Sequence, residues 1–308
     1  MSSRLKNSLI SLNSFSKEDI SSLFTAVAQL EHQKSDLLEQ GRSVAKFHSR
    51  TGALIFFESS TRTRLSFETA CARLLIHPLI FDMKIGSSLE KGETFEDTVL
   101  NIAAMKPSFV VIRCGDELDL ENLAQKIDMP ILNAGWGRQG HPTQALLDAY
   151  TIRKHLHTCE NQRVLIVGDV RHSRVAASHL ELAPKLGYEI AFCGPQEFLP
   201  EKTSVKVFSN LQEGLKWSTV AMALRVQLER HTHSYSLAEY RDLYGFTQEH
   251  LKVLSDKALI LHPGPINQGT EMDIEVMQDS RAKILDQVSN GVLVRQALIQ
   301  KLLSQELS

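Results

Sequence analysis

The stretch Phe56-Phe57-Glu58-Ser59-Ser60-Thr61-Arg62-Thr63-Arg64-Leu65-Ser66-Phe67-Glu68 joins an apolar run to a helical pattern through a turn rich in hydroxyls and arginine. Unpaired N–H groups at a helix start carry partial positive charge. The hydroxyls of Ser60, Thr61 and Thr63 add donors, and the guanidinium groups of Arg62 and Arg64 match phosphate geometry. A phosphate or phosphorylated small molecule is the natural guest. An ordinary helix cap is the competing reading, but a cap needs one hydroxyl. His141-Pro142-Thr143-Gln144 places an imidazole and an amide where a glycine-rich stretch enters a helix, which suits either a cap or a carbonyl ligand. Arg174, and Arg225 with Gln227, each follow a strand. Together they suit a dianionic ligand, although either arginine alone reads as a surface ion pair. His262-Pro263-Gly264-Pro265 is a rigid turn with a candidate cis bond at Gly264-Pro265.

The elements that must position these residues follow from periodicity. Residues 52–57 read as a buried strand, and Leu65, Ala72, Leu75 and Ile76 recur at helical spacing after the turn. Ser16 and Asp19 form a capping box for a first helix with the stripe Ile20, Leu23, Phe24, Val27 and Leu30, ending near Gly41. Next come a strand at 79–82, a polar loop at 84–92, and a helix from Thr94 with the face Phe95, Val99, Ile102 and Ala103. A strand at 109–112 ends in Arg113, and another spans 130–133 with a helix between them. The glycine-rich segment 135–140 is the candidate domain boundary and hinge, and a helix follows it to about His155. A second series has strands at 163–168, 189–193, 205–208, 218–224 and 258–261 and a helix at 173–186. This alternation predicts an α/β fold of two doubly wound parallel-sheet domains. The C-terminal helix, 284–303, with apolar Ile284, Val288, Val292, Leu298 and Leu302, crosses back to the first domain. The predicted domains are 1–142 plus 288–308, and 143–287. Ligands of such sheets bind outside the carboxyl ends of the strands, so residues 60–64, Arg113 and His141 are expected to face one crevice.

Composition removes several classes of function. At 308 residues the chain is long enough for two cores, and 43% apolar with 23% charged residues is ordinary for a folded protein. A net charge of -2 gives no basic field for nucleic acid. Cys71, Cys114, Cys159 and Cys193 stand singly, which fits a reducing cytosol and a cytoplasmic location. No leader and no membrane-spanning run is evident. Lys91-Gly92-Glu93 breaks the order a P-loop needs, and Gly168-Asp169-Val170 lacks the glycine pattern of a dinucleotide fold. His231 with His233, and His155, His157 and Cys159, have ligand types at close spacing. Without a distant partner pair they read as solvated surface groups, so no metal or cofactor is expected.

Ser60-Thr61-Arg62-Thr63-Arg64, His141-Pro142-Thr143-Gln144 and His262-Pro263-Gly264-Pro265, in this order and spacing, resemble the aspartate/ornithine carbamoyltransferase family over the whole chain. Arg225-Val226-Gln227-Leu228-Glu229-Arg230 and the His262 turn look like its aspartate-specific members. The His-Cys-Leu-Pro turn expected of an ornithine enzyme is not present. The resemblance implies transfer of a carbamoyl group from carbamoyl phosphate to the amino group of L-aspartate, in pyrimidine biosynthesis. It makes 1–142 plus 288–308 the carbamoyl phosphate-binding domain and 143–287 the aspartate-binding domain. Ser60, Thr61, Arg62 and Thr63 would hold the phosphate, Arg113 would reach phosphate and carbonyl, His141 would donate to that carbonyl, and Gln144 would fix the carbamoyl amino group. Arg174, Arg225 and Gln227 would bind the aspartate carboxylates, and the backbone at Pro263 and Gly264 the amine. The same resemblance implies a homotrimer in which Ser87 and Lys91 enter a neighbouring subunit's site, open to regulatory or pathway-enzyme subunits. It also implies domain closure on binding. A carbamoyltransferase for another amino acid such as ornithine, and a non-catalytic scaffold, are the alternatives.

Overall fold

The computed structural model describes residues 8–32, 47–82, 92–226 and 236–305. The first helix, α1 (Lys17–His32), buries Ile20, Leu23, Phe24 and Val27. Its capping box is formed: the Asp19 amide donates to Ser16 Oγ at 3.0 Å, and the Ser16 amide donates to Asp19 Oδ2 at 3.0 Å. The Ser16 amide and the Ser16 hydroxyl hold the Asp19 carboxyl below the usual carboxylate range. The expected extension of this helix towards Gly41 lies outside the described residues.

Four strands follow in the first half: β1 (Thr51–Phe56), β2 (His77–Asp82), β3 (Phe109–Cys114) and β4 (Ile131–Trp136). They alternate with α2 (Thr61–Arg73), α3 (Phe95–Ala104) and α4 (Leu120–Lys126). Among the described residues they form a parallel sheet in the order β2-β1-β3-β4. Ala53, Leu54, Ile55 and Phe56 of β1 and Phe109, Val110, Val111 and Ile112 of β3 are all buried, as central strands covered on both faces must be. Gly52 is required by close approach: a Cβ there would lie 2.3 Å from the Phe109 ring.

The second half repeats the plan with β5 (Arg163–Val167), β6 (Glu189–Cys193), β7 (Lys206–Phe208), β8 (Val220–Ala223) and β9 (Leu259–Leu261). These pair in parallel in the order β7-β6-β5-β8-β9. The longer helices among them are α6 (Arg174–Leu186), α7 (Leu211–Trp217) and α8 (Leu237–Tyr244). Helix α5 (Pro142–Leu156) lies between the two series, and α9 (Ile284–Gln305) closes the described chain.

The chain divides into two compact units, residues 1–146 with 288–308, and residues 147–287. The passage between them falls inside α5 and α9, not in the glycine-rich segment expected to be the boundary. That segment belongs to the first unit because it is bonded back onto β4: the Trp136 amide donates to the Gly140 carbonyl at 2.9 Å, and the Gly135 amide to Asn133 Oδ1 at 2.8 Å. Two apolar stripes also differ from expectation. Leu65 (49% exposed) and Leu75 (47%) face outward on and after α2, while Thr63, Ser66, Phe67, Ala70 and Cys71 form its buried side. In α9 Val288 is exposed, and Leu293, Val294, Ala297 and Leu298 are buried with the guanidinium-bearing Arg295. Ile76, Leu298 and Leu302 of the expected stripes are buried, so hydropathy places part of each face and misses the polar residues buried beside it.

No described helix is long and apolar enough to cross a membrane. All four cysteines are free and buried. Burial, with the charge of Glu68 adding, pushes the Cys71 thiol up to about 12, and burial alone does the same to Cys193.

Candidate active site

Each sheet has a point where successive connections leave in opposite directions. In the first sheet it lies between β1 and β3, and in the second between β5 and β8. Crevices outside the carboxyl ends of strands at such switch points are where open α/β sheets take ligands. Among the described residues, those singled out from the sequence follow the carboxyl ends of strands: residues 60–63 after β1, Arg113 in β3, His141 after β4, Arg174 after β5, Arg225 after β8 and the His262 turn after β9.

At the carboxyl end of β1, Ser60 occupies the N-cap of α2, and its side chain makes no cap hydrogen bond among the described residues. The Arg64 amide donates to the Ser60 carbonyl at 3.1 Å. The amides of Thr61, Arg62 and Thr63, which precede it, lack intrahelical acceptors. No acidic residue stands in the first turn of α2, so the positive end of the helix is not offset locally. Helices α1, α3 and α4 all have acids there. Thr61 and Arg62 are exposed, Ser60 is half-buried, and Thr63 is 8% exposed. Arg64 departs from the expected cradle. Its Nη1 bonds Asp82 at the end of β2, and its Nε lies 3.3 Å from Glu68, so two carboxylates occupy the second arginine.

Arg113 pairs in register with Phe56 across the switch point. The β3–β4 register is irregular there: Ile112 faces Asn133, whereas Cys114 faces Trp136, so β4 carries one extra residue. The Arg113 guanidinium lies 3.6 Å from Glu58 in the turn after β1 and donates from Nη1 to the Ala134 carbonyl at 3.4 Å. His141, 4% exposed, precedes α5, and its carbonyl accepts from the Gln144 amide at 3.0 Å. The His141 Nδ1 lies 3.5 Å from Thr143 Oγ1, and the Gln144 side chain is buried. Helix α5, like α2, has no acid in its first turn.

In the second unit, Arg174 opens α6, which is capped by Ser173 and again has no acid in its first turn. Arg225 stands exposed just beyond β8, which pairs with β5, and His262 follows β9, which pairs with β8. Arg174, Arg225 and the His262 turn thus belong to the carboxyl ends of three adjacent strands. The turn has the cis peptide at Gly264-Pro265, and Gly264 has φ +68°, a left-handed conformation that glycine adopts without a side-chain clash. The Gly264 amide donates to His262 Nδ1 at 2.7 Å, and the His262 amide donates to Gln287 Oε1 at 2.9 Å. Gln287 Nε2 donates to the buried Asp148 at 2.7 Å, and Asp148 also lies 3.3 Å from His179 Nε2. The His179 Nδ1 is 2.8 Å from the Tyr188 hydroxyl, which burial, with Cys159 and Asp148 adding, keeps protonated. Ser87, Lys91 and Gln227, and the histidines at 231 and 233, lie outside the described residues. His155 is 3.3 Å from Asp286, and Cys159 Sγ donates to the Ala149 carbonyl at 3.2 Å. Among the described residues no group of three His, Cys, Asp or Glu is arranged to hold a metal ion.

Three supporting residues were not read from the sequence. Asn133 donates to the Ile10 carbonyl at 2.7 Å and to the Gly140 carbonyl at 3.4 Å, bracing the turn that delivers His141. Glu58 sets Arg113. Arg295, buried in α9, donates to Ser66 Oγ at 2.8 Å and to Thr143 Oγ1 at 3.5 Å, tying α2 to α5. A charge inside an apolar helix stripe is the signal that could have revealed Arg295.

Comparison with known proteins places both halves of the chain in one family. Residues 7–154 match the family model described as aspartate/ornithine carbamoyltransferase, carbamoyl-P binding domain. Residues 160–302 match the one described as the Asp/Orn binding domain. The chain is 42% identical over 303 residues to the aspartate carbamoyltransferase catalytic subunit of Flavobacterium psychrophilum, covering 97% of each chain. Among solved structures it is similar to the catalytic subunit of M. jannaschii aspartate transcarbamoylase, with 29% identity, TM-score 0.85, and coverage of 98% of this chain and 99% of that one. Aspartate transcarbamoylase from Trypanosoma cruzi, solved in complex with carbamoyl aspartate and phosphate, is similar at 26% identity with TM-score 0.82 and 96% of each chain covered. With both halves matched in order and nearly the whole length shared, the chain belongs to the aspartate/ornithine carbamoyltransferase family.

Proposed function

We propose that the chain transfers the carbamoyl group of carbamoyl phosphate to the amino group of L-aspartate, giving N-carbamoyl-L-aspartate and phosphate. The observation that carries this reading is the α2 N-terminus beside Arg113: an acid-free helix start and a guanidinium group, brought to one switch point of the first sheet. The relatives' names support aspartate as the acceptor. So do T. cruzi structures in complex with carbamoyl aspartate and phosphate, and with N-(phosphonacetyl)-L-aspartic acid.

In this reading Ser60, Thr61, Arg62 and Thr63 bind the phosphate, and Thr63, Arg113 and His141 donate to the carbamoyl oxygen. Gln144 holds the carbamoyl amino group. Arg174, Arg225 and Gln227 bind the aspartate carboxylates, and the backbone at Pro263 and Gly264 holds the amine. The uncharged amine attacks the carbamoyl carbon, a C–N bond forms, and the C–O bond to phosphate breaks. The leaving phosphate, itself a base, takes the amine proton. No side chain acts as nucleophile. Donors aimed at the developing oxyanion supply most of the chain's contribution, each worth about 100- to 1000-fold in kcat.

The proposed assembly is a trimer in which Ser87 and Lys91 complete a neighbouring subunit's site. The family resemblance supports it, as does the apolar surface left by Leu65, Leu75 and Ile80 beside the edge strand β2. The test is to incubate the purified chain with carbamoyl phosphate and either aspartate or ornithine. Phosphate release and the mass in solution are then measured. Aspartate-dependent release from a trimer is expected, and release with ornithine alone would overturn the assignment.

A further inference from the structure

Behind the His262 turn lies Glu271, 1% exposed and outside every role assigned above. A buried carboxylate is costly to desolvate, and what offsets that cost is the set of groups it binds. Its Oε1 accepts from the Asn267 amide at 2.7 Å and lies 3.6 Å from His262 Nε2. The Gly264 amide donates to the other nitrogen of that ring at 2.7 Å, so Nδ1 is an acceptor and the ring proton sits on Nε2, facing Glu271. Asn267 in turn donates from Nδ2 to the Val226 carbonyl at 3.4 Å, one residue beyond Arg225. One carboxylate oxygen therefore governs two arms. The first runs through His262 to the Pro263-Gly264 peptide, and the second through Asn267 to the strand end that carries Arg225.

We propose that Glu271 is the positioning residue of the amino-acid subsite, holding the turn that receives the amine in register with the arginine that receives a carboxylate. The inference rests on the function proposed above and deepens it. The first arm also acts electronically. The carboxylate orients the Nε2–H tautomer, and Nδ1 draws on the Gly264 N–H. This polarises the peptide whose carbonyl, that of Pro263, accepts from the amine. Neither arm touches the phosphate cradle, so the effect is confined to one substrate.

The test compares Glu271→Ala, Glu271→Gln and His262→Asn with the unmodified chain, measuring KM for aspartate and for carbamoyl phosphate separately. Glu271→Ala breaks both arms and is expected to raise KM for aspartate about 10- to 100-fold, the range that a small misplacement costs. Glu271→Gln keeps the volume and an acceptor for Asn267, so its effect should be smaller. His262→Asn keeps an acceptor for the Gly264 amide but loses the reach to Glu271, and should resemble Glu271→Gln. The double variant should be no worse than either single one. KM for carbamoyl phosphate should stay within about twofold, which a merely structural defect would not respect. If the alanine variant does not fold, the two conservative variants carry the test. Unmoved KM for aspartate in both, or equal loss for both substrates, overturns the positioning role while leaving the activity standing. No aspartate-dependent release from the unmodified chain overturns both.

Discussion

Arg62 and Arg64 stand two residues apart in one helical turn, and the proposed site uses only the first. Arg64 is held by Asp82 and Glu68, and Arg62 is exposed at the start of α2. Replacing Arg62 with alanine should lower kcat/KM at least about 100-fold, as loss of a charge-stabilising donor does, with the melting temperature nearly unchanged. Arg64→Ala should show the reverse. Its half-exposed ion pairs are worth on the order of 1 kcal/mol, read as a drop of a few degrees in Tm, with the affinity for carbamoyl phosphate retained. Parallel melting and kinetic measurements on the two variants separate these roles, and equal kinetic loss from both would restore Arg64 to the cradle.

Helices α2, α5 and α6 start without acids at the carboxyl ends of strands, while α1, α3 and α4 begin with one or two. An acid in the first turn usually stabilises a helix by about 0.3–1 kcal/mol. Its omission leaves positive potential for a ligand, at a small cost in stability. Thr61→Glu should therefore raise Tm slightly and weaken phosphate binding at least about tenfold, the cost of a like charge beside the anion. Calorimetric titration with inorganic phosphate alongside a thermal melt reads both effects. A variant that binds phosphate normally would show that the α2 start is not the anion site.

On the scale of the whole molecule, the two units repeat one design. Each has a parallel sheet, a switch point, and a helix start or arginine on either side of it. In the proposed function the first unit takes the phosphate, and the two arginines of the second take the dicarboxylate. The proposed sharing of Lys91 between subunits predicts complementation. Inactive Arg62→Ala and Lys91→Ala chains, mixed and allowed to exchange, should recover part of the activity, because some hybrid sites hold both native residues. Absence of recovery after exchange is confirmed by mass would argue for sites complete within one chain.

The alternation of apolar runs and helical patterns, the class of fold and the acid-free helix start after Ser60 were legible from residue types and spacing, because strand burial and helix-end chemistry are local. The same locality made Arg62 and Arg64 look alike. Only the pairing of β1 with β2 brought Asp82 to Arg64 and divided them. The passage between units was also decided by packing, since hydrogen bonds that close the 135–140 turn onto β4 cannot be read from its glycines. Glu271 gave no signal in the sequence, and Arg295 only that of a charge in an apolar stripe, for a third reason. Each is a charge whose partners lie far along the chain or across a turn, and burial, which gives such a charge its importance, exists only in the folded state.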